Sequence, residues 1–195
     1  MKSWGLLFKG ETAELSANSI MSSPAPAHSS RPTRARYWIF VFALTLAAIT
    51  YVDRVCISLP KKQIQSDLGI DDAQMGWVFF SFSLAYALFE LPCGWMGDKW
   101  GPRVVLMRVV SWWSVFTALT GTATGYASML AYRFLFGAGE AGAFPNLTKT
   151  YTIWLRKRER TLAQAVTWLS ARWAGALTPL LVAFVLNYLT WRQCF

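Results

Sequence analysis

Charge is what this chain has least of. Only 15% of its 195 residues are Asp, Glu, Lys or Arg, against about 25% in an ordinary soluble domain. Histidine is nearly absent, and the one copy, His28, stands in a polar N-terminal stretch. The three cysteines, Cys56, Cys93 and Cys194, are scattered and share no CxxC or Cys/His spacing. Neither a zinc site nor a disulfide framework is therefore expected. Polar residues are too few to cover a soluble exterior, which argues against a basic nucleic-acid-binding domain despite a formal charge of +9. What is present is apolar bulk, 54% of the residues, which excludes a disordered chain. The 11 Trp and 13 Phe point to lipid as solvent, since aromatic rings favour the boundary between apolar and wet regions.

Residues 1–36 read as a disordered cytoplasmic tail. Ser22-Ser23-Pro24-Ala25-Pro26 and Ser29-Ser30-Arg31-Pro32 break any helix, and the apolar piece from Trp4 to Phe8 is too short for a signal peptide. Met21 is an alternative start. Beyond the tail lie apolar runs of the length a helix needs to cross a bilayer, about 20 residues. Five spans are expected, over about 37–59, 74–97, 104–121, 127–151 and 163–189, so residues 37–195 form one all-α transmembrane bundle.

Basic residues alternate in density between the connections. One side holds Lys2, Lys9, Arg31, Arg34 and Arg36, then Lys99, Arg103 and Arg108, then Lys149, Arg156, Lys157, Arg158 and Arg160. The other side holds only Lys61, Lys62 and Arg192. This asymmetry places the N-terminus in the cytoplasm of a multi-pass inner (plasma) membrane protein.

A charge at mid-bilayer costs at least about 2.5–3.5 kcal/mol, so such residues face a partner or a wet cavity. Asp53 and Arg54 fall in the first expected span, Glu90 in the second, Arg133 and Glu140 in the fourth and Arg172 in the fifth. Arg133 and Glu140 are seven apart, nearly two helical turns, and project from one face. Charges spread over four spans exceed what helix pinning requires. An arginine in a low-dielectric cavity suits a carboxylate, which it can grip with two parallel hydrogen bonds. A carboxyl group beside it feels opposing influences from desolvation and from the arginine, and is suited to binding and releasing a proton. No span contains histidine, and Ser58, Ser81, Ser83, Ser111 and Ser170 have no activating partner, so an enzyme is not expected. Gly137, Gly139 and Gly142 lie in an apolar helix without a preceding strand, which favours close helix packing over a phosphate loop.

Gly94-Trp-Met-Gly-Asp98-Lys99-Trp-Gly101-Pro-Arg103 resembles the signature loop between the second and third helices of the major facilitator superfamily. Arg133-Phe-Leu-Phe-Gly137-Ala-Gly139 resembles that superfamily's fourth-helix motif. Tyr51-Val-Asp53-Arg54, the run from Glu140 to Asn146 and Trp154 to Arg160 are similar to the anion:cation symporter family, whose bacterial members carry sugar acids such as hexuronates, galactonate and glucarate. The resemblance implies secondary active transport of a small organic anion, coupled to protons, by alternating access. It implies that Arg54 binds the substrate carboxylate, with Tyr51 at the cavity wall and Arg172 reaching the substrate from the fifth helix. Asp53 and Glu140 would carry protons and Arg133 would interact with them. Gly94, Asp98, Lys99, Gly101 and Arg103 would form a conformational latch. No cofactor and no metal is implied; the implied partners are the anion, the proton, the bilayer and a second transporter half.

The superfamily is built from two six-helix halves around a midplane site, and this sequence is expected to supply five helices of the first. It reads as a fragment or a truncated gene product, and the alternative function is a non-transporting membrane module such as a sensor or assembly partner. Residues 1–195 reconstituted alone in proteoliposomes are expected to show no proton-coupled sugar-acid uptake; clear uptake would overturn the need for a second half.

Overall fold

The computed structural model describes residues 35–195, so the expected tail lies outside the described residues except for Ala35 and Arg36, which begin the first helix. Within them the chain is nearly all helical: α1 (Ala35–Cys56), α2 (Lys61–Leu68), α3 (Asp72–Trp100), α4 (Pro102–Gly121), α5 (Tyr126–Glu140), α6 (Ala143–Trp154), α7 (Lys157–Leu186) and a short 3-10 helix, Trp191–Cys194. Four of them, α1, α3, α4 and α7, are long and apolar enough to cross a membrane. Large apolar side chains stand outward on all four, Trp38 at 75% exposure, Leu91 at 82%, Met107 at 64% and Leu180 at 71%. A water-soluble bundle would bury that surface.

Helix ends follow local chemistry. Asp71 caps α3: its carboxylate accepts from the Gln74 amide at 2.7 Å, and the Gln74 side chain accepts from the Asp71 amide at 3.1 Å. This reciprocal pair satisfies two of the orphan donors at a helix start. Helix α2 is a short piece inside the connection expected between the first two spans. It ends on Gly69, whose φ of 64° is the left-handed conformation that stops helices. The signature stretch from Gly94 is not a loop, because α3 continues through it to Trp100. A single residue, Gly101 with φ of 84°, turns the chain, and Pro102 starts α4 with its φ already preset.

The expected fourth span, 127–151, divides into α5 and α6. At 15 and 12 residues, neither reaches the ~20 residues a crossing needs. Pro145 explains the break. It has no N–H, so the carbonyl of Ala141 lacks its i+4 donor. Ala141 and Gly142 keep right-handed helical dihedrals, so the ladder is interrupted without a reversal of the chain.

Packing pairs α1 with α7 and α3 with α5, while α4 lies against α5 and α6. One core gathers Leu46, Leu106, Trp113, Phe136, Leu147 and Tyr151; a second, around α2 and the 3-10 helix, gathers Ile57, Ile64, Met75, Met129 and Trp191. The α3–α5 contact depends on Gly137. A Cβ there would stand 2.5 Å from the Phe82 carbonyl oxygen, which is backbone and cannot yield. The glycines of α5 thus serve close packing, as their place in an apolar helix suggested. Gly137→Ala is expected to destabilise the protein by about 1–3 kcal/mol, the usual range for overpacking. Gly76→Ala has nothing within 4 Å and should be neutral or slightly stabilising, because alanine is the better helix former. Thermal unfolding in detergent micelles compares the two; equal midpoints would remove the close-contact explanation.

Candidate functional site

Asp53 and Arg54 are neighbours near the end of α1, and successive helical residues point about 100° apart. They therefore reach different helices. Asp53 turns to α4, where its Oδ2 accepts a hydrogen bond of 2.5 Å from the Trp113 indole N–H. It lines a cavity of about 380 Å³ between α1 and α4, together with Thr45, Ser114, Thr117 and Phe195. Arg54 turns to α3 and α5. Its Nε donates to Glu140 Oε1 at 2.6 Å. The Glu140 side chain has no exposure, whereas that of Arg54 keeps 23%.

Aromatic faces surround the arginine. The guanidinium carbon lies 4.5 Å from the ring centroid of Tyr86, 5.4 Å from Tyr51, 5.5 Å from Phe82 and 6.0 Å from Phe144. Each ring offers its negative face to the cation, worth about 0.5–2 kcal/mol according to desolvation. Phe144 is itself held edge-on by Tyr51 and stacked on Trp168 of α7 at 4.7 Å. The cage thus collects side chains from α1, α3 and α6, with α7 behind it.

Satisfaction is incomplete. Arg54 Nη2 and Glu140 Oε2 are buried without hydrogen-bond partners. Buried polar atoms are normally paired, and an unpaired one costs about 1–3 kcal/mol or more if charged. The free Nη2 leaves the arginine fork half used, with a second donor available to an incoming acceptor.

Arg133 is buried at 4% exposure, between the rings of Phe136 at 5.3 Å and Phe195 at 5.0 Å. It shares a narrow crevice with Arg54, Ile57, Val78, Phe79 and Phe82. Its Nε and Nη2 have no hydrogen-bond partners, and it forms no ion pair among the described residues. No hydrogen bond or ion pair joins it to Asp53 or Glu140, and its interaction with these acids is electrostatic, at longer range. Arg172 is exposed on α7, beside Trp173 at 61% exposure, and the fold does not bring it to Arg54. Tyr51 does stand at the site, as the edge partner of Phe144.

At the Trp100 end of α3, Asp98 is ion-paired with Lys149 of α6. Arg103 is exposed and is not that partner. Lys99 lies over the Trp95 ring at 5.2 Å. Close by, the buried Asn146 side chain donates to the Cys93 carbonyl at 3.1 Å and to the Gly142 carbonyl at 2.8 Å. Gly94 packs beside Pro145, to which a Cβ would come within 3.7 Å. Trp113, Phe82 and Tyr86 carry this geometry without having been singled out from the sequence, and Asn146 and Lys149 entered there only as the end of a motif and as a basic residue. A charged residue in an apolar run announces itself; an aromatic partner among many aromatics does not.

Comparison with known proteins places this arrangement. The chain is 38% identical over 162 residues to a probable sulfoacetate transporter of Cupriavidus necator, covering 83% of this chain and 38% of the relative. It is 36% identical over 172 residues to the D-galactonate transporter of Escherichia coli O6:H1, covering 87% of this chain and 40% of the relative. It is 30% identical over 157 residues to the hexuronate transporter of Bacillus subtilis, covering 80% and 37%. The chain thus spans about two fifths of the length of the curated relatives it matches. Among solved structures, a bacterial homologue of the human lysosomal transporter Spinster, inward-facing and occupied, superposes with a TM-score of 0.67 at 20% identity, over 85% of this chain and 40% of that one. The fold is shared with that transporter, and residues 32–195 match the Major Facilitator Superfamily as a family. A multi-pass helical membrane chain with paired charges buried between its helices, this protein belongs to the Major Facilitator Superfamily.

Proposed function

We propose that this chain supplies half of a secondary active transporter for organic anions, sugar acids or other carboxylates, working as a proton-coupled symporter by alternating access. The observation that carries the reading is the Arg54–Glu140 pair, joined by one hydrogen bond with Arg54 Nη2 and Glu140 Oε2 left over. The relatives named above transport sulfoacetate, galactonate and hexuronate by their descriptions, all of which are anions. Arg54 offers such an anion a charged fork inside an aromatic cage, with Tyr51 at its wall.

Proton coupling follows from exchange of partners. An ionised Glu140 holds Arg54 and competes with any substrate carboxylate. When Glu140 takes up a proton, its attraction for the guanidinium falls, and Arg54 is free to receive the anion with both nitrogens. Proton and anion therefore enter together, and uptake rises as the pH falls on the side from which substrate is loaded. Asp53, held by Trp113, is the second proton-carrying group, and Arg133 acts on both acids as a fixed positive charge. The Asp98–Lys149 contact, with Gly94, Lys99, Gly101 and Arg103 around it, forms the latch end. In this reading the N-terminus is cytoplasmic and the bundle sits in the inner membrane, with the other transporter half supplied by further chain or a partner.

Uptake of labelled sugar acids by proteoliposomes holding this sequence within its complete reading frame tests the proposal. Arg54→Ala removes two charge-assisted hydrogen bonds, together about 3 kcal/mol or more, and should lower uptake about 100-fold. Uptake of a sugar acid at the wild-type rate by that variant would sink the assignment.

Glu140→Gln keeps the volume and removes the titration. It is expected to abolish accumulation driven by a pH gradient while leaving exchange of internal for external anion measurable. Accumulation that still follows the pH gradient in Glu140→Gln would remove Glu140 from the coupling.

A further inference from the structure

Two of the three cysteines scattered along the sequence come together in the fold. Cys56 is the last residue of α1, and Cys194 is the last of the 3-10 helix after α7. The Cys56 thiol donates to the Cys194 carbonyl oxygen at 3.7 Å, across 138 positions of sequence. Adding standard C=O and Cα–C bond lengths, the Cys56 sulfur lies within about 6.5 Å of the Cys194 Cα. The end of α1 and the 3-10 helix are thus adjacent, and a bridge requires the two Cα atoms to settle about 4.4–6.8 Å apart. The Cys194 thiol now points to the Thr190 carbonyl at 3.6 Å, so closure asks first for a rotation of that side chain.

The 3-10 helix is held in place while this happens. The Trp191 indole N–H donates to Asp67 Oδ2 at 2.6 Å, and Arg192 Nη1 donates to the carbonyls of Gly121 at 3.1 Å and Ala123 at 2.7 Å. These contacts fix the segment against α2 and the end of α4, which keeps the two thiols at high effective concentration. Cys93, by contrast, lies buried in α3 near Asn146, where its thiol faces Arg108 Nη1 at 3.7 Å.

We propose that Cys56 and Cys194 form a thiol-oxidation site that closes to an intramolecular disulfide, tying the end of α1 to the turn that follows α7. The proposal rests on the orientation given under the proposed function, which puts both thiols on the extracytoplasmic side, where disulfides persist. The oxidant is a disulfide-bonded dithiol carrier. Cys56 is buried and Cys194 partly exposed, so the carrier meets Cys194 first. The Cys194 thiolate attacks one carrier sulfur, the carrier S–S bond breaks, and the second carrier sulfur leaves as a thiolate. Cys56 then loses its proton and attacks the Cys194 sulfur, expelling the first carrier sulfur. One S–S bond is broken and one formed, two thiol protons pass to the carrier or solvent, and two electrons reduce the carrier to a dithiol. Burial pushes the Cys194 thiol above its ordinary range, so its thiolate is scarce at neutral pH and the first step quickens as pH rises. Phe195, next to Cys194, lies against the Arg133 guanidinium at 5.0 Å, so the bridge also anchors the ring that covers this arginine.

The test counts thiols on the full chain in bacterial inner-membrane vesicles. Free thiols are blocked with N-ethylmaleimide in denaturant, disulfides are reduced, and the released thiols are tagged with a polyethylene-glycol maleimide. The wild type should gain two tags, Cys93→Ser should also gain two, and Cys56→Ser and Cys194→Ser should gain none. Mass spectrometry of the linked Cys56–Cys194 peptide in the wild type gives the same answer without a variant. A second arm adds copper–phenanthroline to vesicles prepared under reducing conditions. Bridging in that arm alone would overturn the orientation while upholding the proximity of the thiols. No released thiols in either arm, or tags confined to covalent dimers on non-reducing gels, would overturn the pair itself. Transport is not read in this experiment, so its failure and that of the transport reading are distinguishable.

Discussion

An ionised side chain inside an apolar bundle is costly without a counter-charge, and this constraint governs the contact between Arg54 and Glu140. Glu140 is fully buried, and its one ion-pair partner among the described residues is Arg54. Removing one member of a buried pair strands the other, at about 3–5 kcal/mol. The pair therefore fastens α1 to α5 more firmly than their apolar contacts would. It is nonetheless only half satisfied, since each partner keeps one orphan atom. A core optimised for stability alone would fill or delete such a network. The pair is held by one hydrogen bond and keeps one donor and one acceptor unused.

The packing that surrounds the pair is inseparable from it. Phe82 lies 5.5 Å from the Arg54 guanidinium on one side and 5.5 Å from the Phe136 ring on the other. Its own carbonyl sits above Gly137. The missing Cβ at Gly137 thus lets α5 approach α3, and that approach presses an aromatic wall against the arginine. The 100° step between consecutive helical residues sends Asp53 the other way, to Trp113 and the α1–α4 cavity. Two polar sites of different character are thereby placed on different flanks of one helix by a single dipeptide.

Much of this was legible in the sequence, for a definite reason. Lipid removes the polar camouflage that a soluble helix wears, so Asp53, Arg54, Arg133 and Glu140 stand out from apolar runs, and three of the four meet at or beside one pair. Arg172 stands apart from them: it is exposed on α7 and makes no contact with the Arg54–Glu140 pair. Aromatic partners were illegible because 16% of the chain is aromatic, and a ring facing lipid is spelled like a ring facing a guanidinium. The Asp98–Lys149 contact was illegible because it joins residues 51 positions apart. The break between α5 and α6 was written in Pro145, but the apolar run across it outweighed one residue in the reading.

That break has a mechanical consequence. Helix α6 is strapped to α3 by Asn146 and Lys149 and to α7 by the Tyr151 hydroxyl, which lies 2.5 Å from Thr167. Helix α5 is strapped to α1 by Glu140 and to α3 through Gly137. The two fastened segments meet at Ala141 and Gly142, one residue beyond Glu140, where Pro145 has removed a donor from the helical ladder. Bending a helix is cheapest where a backbone hydrogen bond is already missing. The charged pair and the missing backbone hydrogen bond thus lie within one turn of each other, between a segment fastened to α1 and α3 and one fastened to α3 and α7.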